Sequence, residues 1–118
     1  MPSDLEIEEI HNLLSRHRIQ IGKDIEAHLL GLLVKKNVLT LDDEEFVSNG
    51  LTIDDKCNRL IEIISKNGYD KFQEFCYSIE SEFTKLITDL INDGLNCKEL
   101  IETHLKLFEE HGERPVLF

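Results

Sequence analysis

Three side chains of metal-binding type lie seven residues apart near the end of the chain: Cys97, His104 and His111. Thiolates and imidazoles are the usual ligands of zinc, so these residues are the first candidates for chemistry. A helix rises ~1.5 Å per residue, which separates neighbouring members of the set by ~10 Å along one helix. Zinc needs every ligand ~2 Å from the ion. A single helix cannot meet that condition, so we expect these residues to form a packing face or a stripe at the solvent edge.

The sequence contains none of the common catalytic or cofactor-binding motifs. His11 and His17 are six residues apart and fail the same geometric test, and we expect His17 to pack on an apolar helix face. The chain has no nucleophile elbow, zinc-protease helix, Gly-rich phosphate loop, EF-hand loop or caspase nucleophile motif. We therefore expect a non-enzymatic domain with no metal or cofactor of its own. The alternative from another class is a small enzyme or metal protein built on a helical bundle.

Four consecutive acidic residues form the first charge cluster: Asp42, Asp43, Glu44 and Glu45. They fall in the first turn of a predicted helix, where acidic side chains interact favourably with the helix dipole and need no partner. The same cluster is also the candidate acidic patch for binding another protein. Both interpretations remain open at the level of sequence.

Five basic residues form the second cluster. Arg16, Arg18 and Lys23 belong to the first predicted helix, and Lys56 and Arg59 belong to the fourth. If these two helices are neighbours in a bundle, the five charges merge into one basic patch. A basic patch on a chain with net charge -11 is suited to guide an acidic protein surface.

Composition narrows the class of protein. With 24 acidic and 13 basic residues, the chain repels phosphate backbones, so we expect no nucleic-acid partner. The longest strongly apolar run, Leu29 to Val34, is far shorter than the ~20 residues that span a bilayer, so we expect no membrane segment. The N-terminus is acidic, unlike a secretory signal, and three unpaired cysteines are typical of a reducing compartment. We expect a cytoplasmic protein.

Helical periodicity runs through the residues that must position these clusters. Ser3 and Glu6 predict a capping box at the start of a long first helix, and Gly22 predicts a kink or break within it. A second helix is predicted from about Glu26 to Lys36. Four further amphipathic helices follow, each beginning or ending at a capping or turn residue. Their predicted inward residues are Phe46 and Val47 in the third; Ile53, Cys57, Leu60, Ile61 and Ile64 in the fourth; Phe72, Phe75, Cys76 and Ile79 in the fifth; and Phe83, Leu86, Ile87, Leu90 and Ile91 in the sixth.

These segments predict an all-α, antiparallel six-helix bundle over residues 1–94. Residues 95–112 predict a further linker helix, with Asn96 as its cap. Residues 113–118 contain Pro115 and predict an extended segment, which we interpret as the truncated start of a downstream domain.

An ordered series of short matches from Leu5 to Gly94 resembles the caspase recruitment domain, a six-helix death-fold domain with a kinked first helix. The matching residues are His17-Arg18, Lys23-Asp24-Ile25, Val38-Leu39-Thr40, Glu44-Glu45, Val47, Asn49, Thr52 and Leu60-Ile61. Within that family the chain is most similar to the recruitment domains of apoptosome scaffolds. The segment from Arg114 to Phe118 resembles the strand that enters their nucleotide-binding domain, so the resemblance implies ATP or dATP binding downstream.

The resemblance implies an adaptor that recruits the prodomain of an initiator caspase by homotypic contact, for its activation in apoptosis. An acidic surface on the second and third helices would pair with a basic surface on the first and fourth. Lys35 and Lys36 depart from this pattern, because they stand where acidic residues are expected. Alternatives within the fold are a caspase prodomain or the recruitment domain of another death-fold adaptor, and a further alternative is a purely structural helical domain.

One chain with both an acidic and a basic patch carries two different, complementary surfaces. Such surfaces form heterologous contacts, which propagate head to tail. We therefore expect self-association as well as caspase binding.

Overall fold

Helices make up the regular secondary structure of the described part of the chain. The computed structural model describes residues 3–94, which contain no strand, so the predicted all-α class is confirmed. The predicted linker helix at residues 95–112 and the predicted domain start at residues 113–118 lie outside this range. The described helices are α1 (Asp4–Arg16), α2 (Arg18–Ala27), α3 (Leu29–Lys35), α4 (Leu41–Ser48), α5 (Ile53–Lys66), α6 (Gly68–Ile79) and α7 (Thr84–Gly94).

The predicted first helix is kinked, but the kink lies at His17 and not at Gly22. His17 leaves helical geometry, with φ -114° and ψ 22°, and separates α1 from α2. Gly22 lies inside α2, where a Cβ atom would come 3.2 Å from Ile53 Cγ1 and 3.3 Å from Cys57 Sγ. The glycine therefore lets α2 approach α5 closely, and the prediction of a break at this residue was wrong.

A second interruption occurs at His28, between α2 and α3. The predicted second helix, which began near Glu26, therefore starts later, at Leu29. Its predicted end is confirmed, because Asn37 has a φ of 65° and takes the left-handed conformation that stops a helix. The seven segments are thus the predicted six-helix bundle with its first helix divided in two.

Hydroxyl caps start three of the helices. Thr40 and Asp43 form a reciprocal capping box at α4, and Thr52 caps α5. The Ser3 hydroxyl accepts from the Glu6 amide at the start of α1, as predicted. The Glu6 carboxylate instead accepts a 2.6 Å hydrogen bond from the Tyr69 amide, so it ties α1 to the start of α6.

The core is built around α5, which packs on α1, α2, α4 and α6. Most predicted inward residues are buried, and Phe75 is the largest of the fully buried side chains. Two predictions were wrong: Phe46 and Ile53 are not buried, with 44% and 40% of their surface exposed. Cys57 and Cys76 are free and buried, and burial raises the pKa of both thiols. Among the described helices, none is long and apolar enough to cross a membrane.

Candidate docking surfaces

Helices α1 and α2 lie against α5. The predicted first and fourth helices, which contain the basic cluster, are therefore neighbours. This arrangement confirms the condition on which the predicted basic patch depended. The five basic side chains nevertheless differ in what they contact. Three arginines contact other parts of the fold through their charged groups, and the two lysines form no ion pair within residues 3–94.

Arg16 joins the kink to the end of α7. Its Nε donates to Asp93 Oδ2 at 2.8 Å and its Nη2 donates to Asp93 Oδ1 at 3.1 Å. The His17 ring lies 2.8 Å from the same carboxylate. The hydrogen bond from Arg16 is the main cause that lowers the pKa of Asp93, followed by the contact with His17. Arg16 and His17 together therefore hold α7 against the junction of α1 and α2.

Arg18 joins α2 to α5. One terminal nitrogen donates to Asn58 Oδ1 at 2.5 Å, and the other lies 3.3 Å from Asp54 Oδ1. The backbone carbonyl of Arg18 also accepts from the thiol of Cys57 at 3.4 Å. The positive charge of Arg18 is partly balanced by Asp54, which leaves less of it for a partner.

Arg59 lies beside α4. Its guanidinium donates to the carbonyl oxygen of Phe46 at 2.7 Å and sits 4.8 Å from the centre of the Phe46 ring. A cation at this position interacts favourably with the C-terminal end of a helix and with an aromatic face. The structure therefore places Arg59 at the contact between α4 and α5, where it supports the helix that carries the acidic cluster.

Lys23 and Lys56 are the unengaged members of the basic cluster. Within residues 3–94 neither lysine takes part in an ion pair. Lys23 is exposed on α2, and Lys56 is half-buried on the first turns of α5. Within residues 3–94, Lys23, Lys56 and Arg59 are therefore the members of the basic cluster whose charge is not paired with a carboxylate.

The acidic cluster lies on α4, with Asp42 and Glu45 exposed and Glu44 half-buried. Asp43 has a structural role, because its Oδ2 accepts from the Thr40 amide at 3.1 Å within the capping box. None of the four carboxylates is ion-paired in the part of the chain that the structure describes. The favourable interaction of a first-turn carboxylate with the helix dipole explains why an acidic residue occupies position 43. Glu45 stands beyond the first turn, so its carboxylate is available to a partner.

Lys35 and Lys36 are exposed at the end of α3, directly before α4. They place positive charge at the C-terminal end of α3, where the resemblance implies acidic residues. The acidic surface in the described residues is therefore a feature of α4 and does not extend along the last turn of α3.

Asp24 is a buried carboxyl group that the sequence analysis did not single out. It is 8% exposed, and its Oδ1 accepts a 3.0 Å hydrogen bond from the side-chain nitrogen Nε2 of Gln20. Burial raises the pKa of Asp24, while the hydrogen bond from Gln20 and the charge of His28 act in the opposite direction. The available signal was its position three residues after Ile21, on the inward face of α2.

The described residues offer little for catalysis or metal binding. They contain no group of three or more potential metal ligands, and the set at Cys97, His104 and His111 lies outside them. A groove of about 620 Å³ runs between the α3–α4 connection and α6, and charged and polar side chains, among them Lys36, Asp70 and Glu74, line most of it. The charged side chains exposed on the helix faces are the candidate features for recognition of a partner.

Two comparisons with known proteins gave a match for this chain. The family model described as caspase recruitment domain matches residues 11–107. The human protein apoptotic protease-activating factor 1 is 29% identical over 85 residues, which cover 71% of this chain and 7% of that protein. The chain thus corresponds to a small part of the length of this relative. The search of solved structures gave no match.

Proposed function

Because the chain belongs to the caspase recruitment domain family, a family of protein-interaction modules, we propose that it recruits an initiator caspase within an apoptosome-type adaptor. The recruited segment is the prodomain of the caspase, which is itself a domain of this family. Recruitment brings caspase chains together for activation in apoptosis. The assignment to an apoptosome-type adaptor is supported by the similarity to apoptotic protease-activating factor 1.

The exposed carboxylates of α4 are the observation that carries this proposal. Asp42 and Glu45 project from a helix that is fixed on α5 by the contacts of Arg59, and neither carboxylate is ion-paired within the described residues. Fixed, unpaired charges on the surface act mainly on the rate and specificity of association. A basic surface on the caspase prodomain would supply the opposite charge.

The same chain has Lys23 on α2 and Lys56 on α5, neither of which is ion-paired within the described residues. Two different surfaces of opposite charge allow each copy to accept one neighbour and to present a surface to the next. We include head-to-tail association of the chain in the proposed function, because it would gather several recruited caspases on one assembly.

Binding to caspase prodomains after charge reversal on α4 tests the proposal. Glu44→Lys combined with Glu45→Lys should lower the affinity for the cognate prodomain by about tenfold or more, which corresponds to ~1.4 kcal/mol. The melting temperature should stay close to that of the wild type, because the Thr40–Asp43 capping box is untouched. Titration calorimetry against a panel of initiator caspase prodomains measures the effect.

A matched control places the same change in charge elsewhere. Glu62→Lys combined with Glu74→Lys reverses two exposed carboxylates on α5 and α6 and should leave the affinity nearly unchanged. An unchanged affinity for the α4 variant, or a loss explained by unfolding, would refute recruitment through α4.

The parent sequence distinguishes the adaptor from the two alternatives within the family. A phosphate-binding loop that follows this domain would support the adaptor and its ATP or dATP site. A protease domain would instead identify the chain as a caspase prodomain, and a kinase or receptor domain would identify another death-fold adaptor.

A further inference from the structure

The sequence contains two Asn-Gly pairs, Asn49-Gly50 and Asn67-Gly68, and both lie at connections between helices. Asparagine is a thermolabile residue, because its side-chain amide can be lost when the next backbone nitrogen attacks it. Glycine in the next position favours this attack, since it has no Cβ and lets the backbone rotate freely. Each pair is therefore a candidate site of spontaneous deamidation, and the folded surroundings of the two pairs decide which of them reacts first.

The reaction needs only water. The backbone nitrogen of the glycine forms a bond to Cγ of the asparagine, and the bond from Cγ to the side-chain nitrogen breaks. The proton of the glycine amide ends on the departing ammonia, and a five-membered succinimide ring remains. Water then opens the ring at either carbonyl group and gives aspartate or isoaspartate. A neutral side chain is thereby replaced by one negative charge.

The pair at Asn67 is held in place by several contacts. Asn67 is the single residue between the end of α5 and the start of α6, and its Nδ2 donates to the carbonyl oxygen of Ile63 at 2.7 Å. Gly68 is buried, has a φ of 78° and begins α6. The backbone amide of Tyr69 donates to the Glu6 carboxylate at 2.6 Å and fixes the same turn. An attack on Asn67 must therefore break its side-chain hydrogen bond and displace the first turn of α6.

The pair at Asn49 lies in a longer connection. Residues 49–52 join α4 to α5 without helical structure, and Asn49 is exposed. Its side-chain amide makes no hydrogen bond within residues 3–94. The amide of Gly50 donates to the carbonyl oxygen of Val47 at 3.1 Å, and Gly50 is buried against the backbone of Lys56. An attack on Asn49 therefore requires a local opening of this connection, but no helix has to shift.

We infer that Asn49 is the site at which the folded chain deamidates, ahead of Asn67. Both reactions need a movement of the backbone, but the reaction at Asn67 also loses a side-chain hydrogen bond and disturbs the start of a helix. These additional losses should make the reaction at Asn67 slower than the reaction at Asn49 by about tenfold or more.

The product changes the surface of α4. Position 49 directly follows α4 and stands four residues after Glu45, so the two side chains point to the same side of the helix end. The new carboxylate extends the acidic surface of α4 beyond its last turn. It also weakens the end of the helix, because a negative charge interacts unfavourably with the C-terminal end of the helix dipole. The charge on this surface should therefore increase with the age of the protein molecule.

Timed incubation of the purified full chain tests this inference. Peptide mapping by mass spectrometry detects the exchange of NH2 for OH and separates aspartate from isoaspartate. In the folded chain, the Asn49 peptide should deamidate about tenfold faster than the Asn67 peptide or more. Both rates should rise with pH, because the attacking nitrogen must lose its proton. In the chain unfolded in guanidinium chloride, the two peptides should react at similar rates, since both asparagines precede glycine and have lost their folded contacts.

Asn49→Gln is the matched variant, because it keeps a side-chain amide at an exposed position that makes no hydrogen bond to lose. The folded variant should keep its charge over the period in which the wild type becomes more acidic, as measured by isoelectric focusing. A circular dichroism spectrum equal to that of the wild type shows that the variant is folded.

A folded chain in which Asn67 reacts as fast as Asn49, or faster, would overturn the inference. So would a folded chain that keeps Asn49 intact long after the unfolded chain has reacted, or an Asn49→Gln variant that becomes acidic as fast as the wild type. None of these measurements involves a caspase. The inference and the proposed function therefore fail by different outcomes.

Discussion

At the scale of single residues, the charged side chains divide into those that hold the fold together and those that are available to a partner. Arg16 and Arg59 are both occupied, by Asp93 and by the carbonyl of Phe46 respectively. Lys23 and Glu45 have no ion-pair partner in the described range. Sequence alone predicts that these residues are charged and helical, but it does not predict their partners, which lie up to 77 residues away.

The carboxylate of Asp93 should make stability depend on pH. Arg16 lowers the pKa of Asp93 in the folded state, so its contribution is fully present above its pKa in the unfolded chain, ~3.9. The contribution is lost as the pH falls through the lower pKa of the folded state. Asp93→Asn should therefore cost about 1 kcal/mol near neutral pH, on the scale of a well-formed exposed ion pair.

Urea unfolding of the wild type and the Asp93→Asn variant from pH 7 toward pH 2 measures this dependence. The difference in free energy of unfolding should shrink as the pH falls below ~3.9. Asp89→Asn is the control, since the carboxylate of Asp89 accepts from exposed Lys85 on its own helix. A difference for Asp93→Asn that stays constant with pH would contradict the role assigned to this residue.

At the scale of helices, local signals predict ends better than they predict interruptions. Thr40 and Thr52 begin α4 and α5 as predicted, and Asn37 ends α3, because caps and left-handed turns depend on neighbouring residues alone. The break at His17 coincides with a contact to Asp93 on α7, a residue that no local pattern around His17 contains. Gly22 suggested a break through its low helix propensity, but it is retained in α2 by packing against α5.

The close approach of α2 to α5 at Gly22 gives a prediction for this pair of helices. Gly22→Val should destabilise the fold by about 1–3 kcal/mol, because its added atoms collide with Ile53 and Cys57. Gly31→Ala should instead stabilise it by up to ~1 kcal/mol, since no atom lies within 4 Å of an added Cβ there. Thermal and urea unfolding of the two variants measure both effects. A neutral Gly22→Val variant would show that the spacing of the two helices is not tightly set.

At the scale of the whole molecule, fold and family were predictable because the apolar stripes and the ordered matches extend along most of the chain. The candidate docking surfaces were predictable only in outline. The sequence indicates a basic cluster on the first and fourth predicted helices and an acidic cluster on the third, but the engagement of Arg16, Arg18 and Arg59 depends on tertiary contacts. The exposure of Ile19 and Leu41 depends on how each helix is rotated in the bundle.

Association should also depend on salt, because the proposed contacts use exposed charges. Such charges are screened over ~8 Å at physiological ionic strength. The affinity for the caspase prodomain and the self-association of the chain should both weaken as salt is raised. Association that strengthens with salt would instead indicate a contact dominated by apolar burial.

The affinity of the wild type and of the Glu44→Lys, Glu45→Lys variant for one initiator caspase prodomain, measured from low to high salt, tests recruitment through α4 most directly. We predict tight binding by the wild type that weakens with salt, and weak binding by the variant that changes little or improves with salt. Equal affinities of the two proteins at every salt concentration would contradict docking through the charged surface of α4.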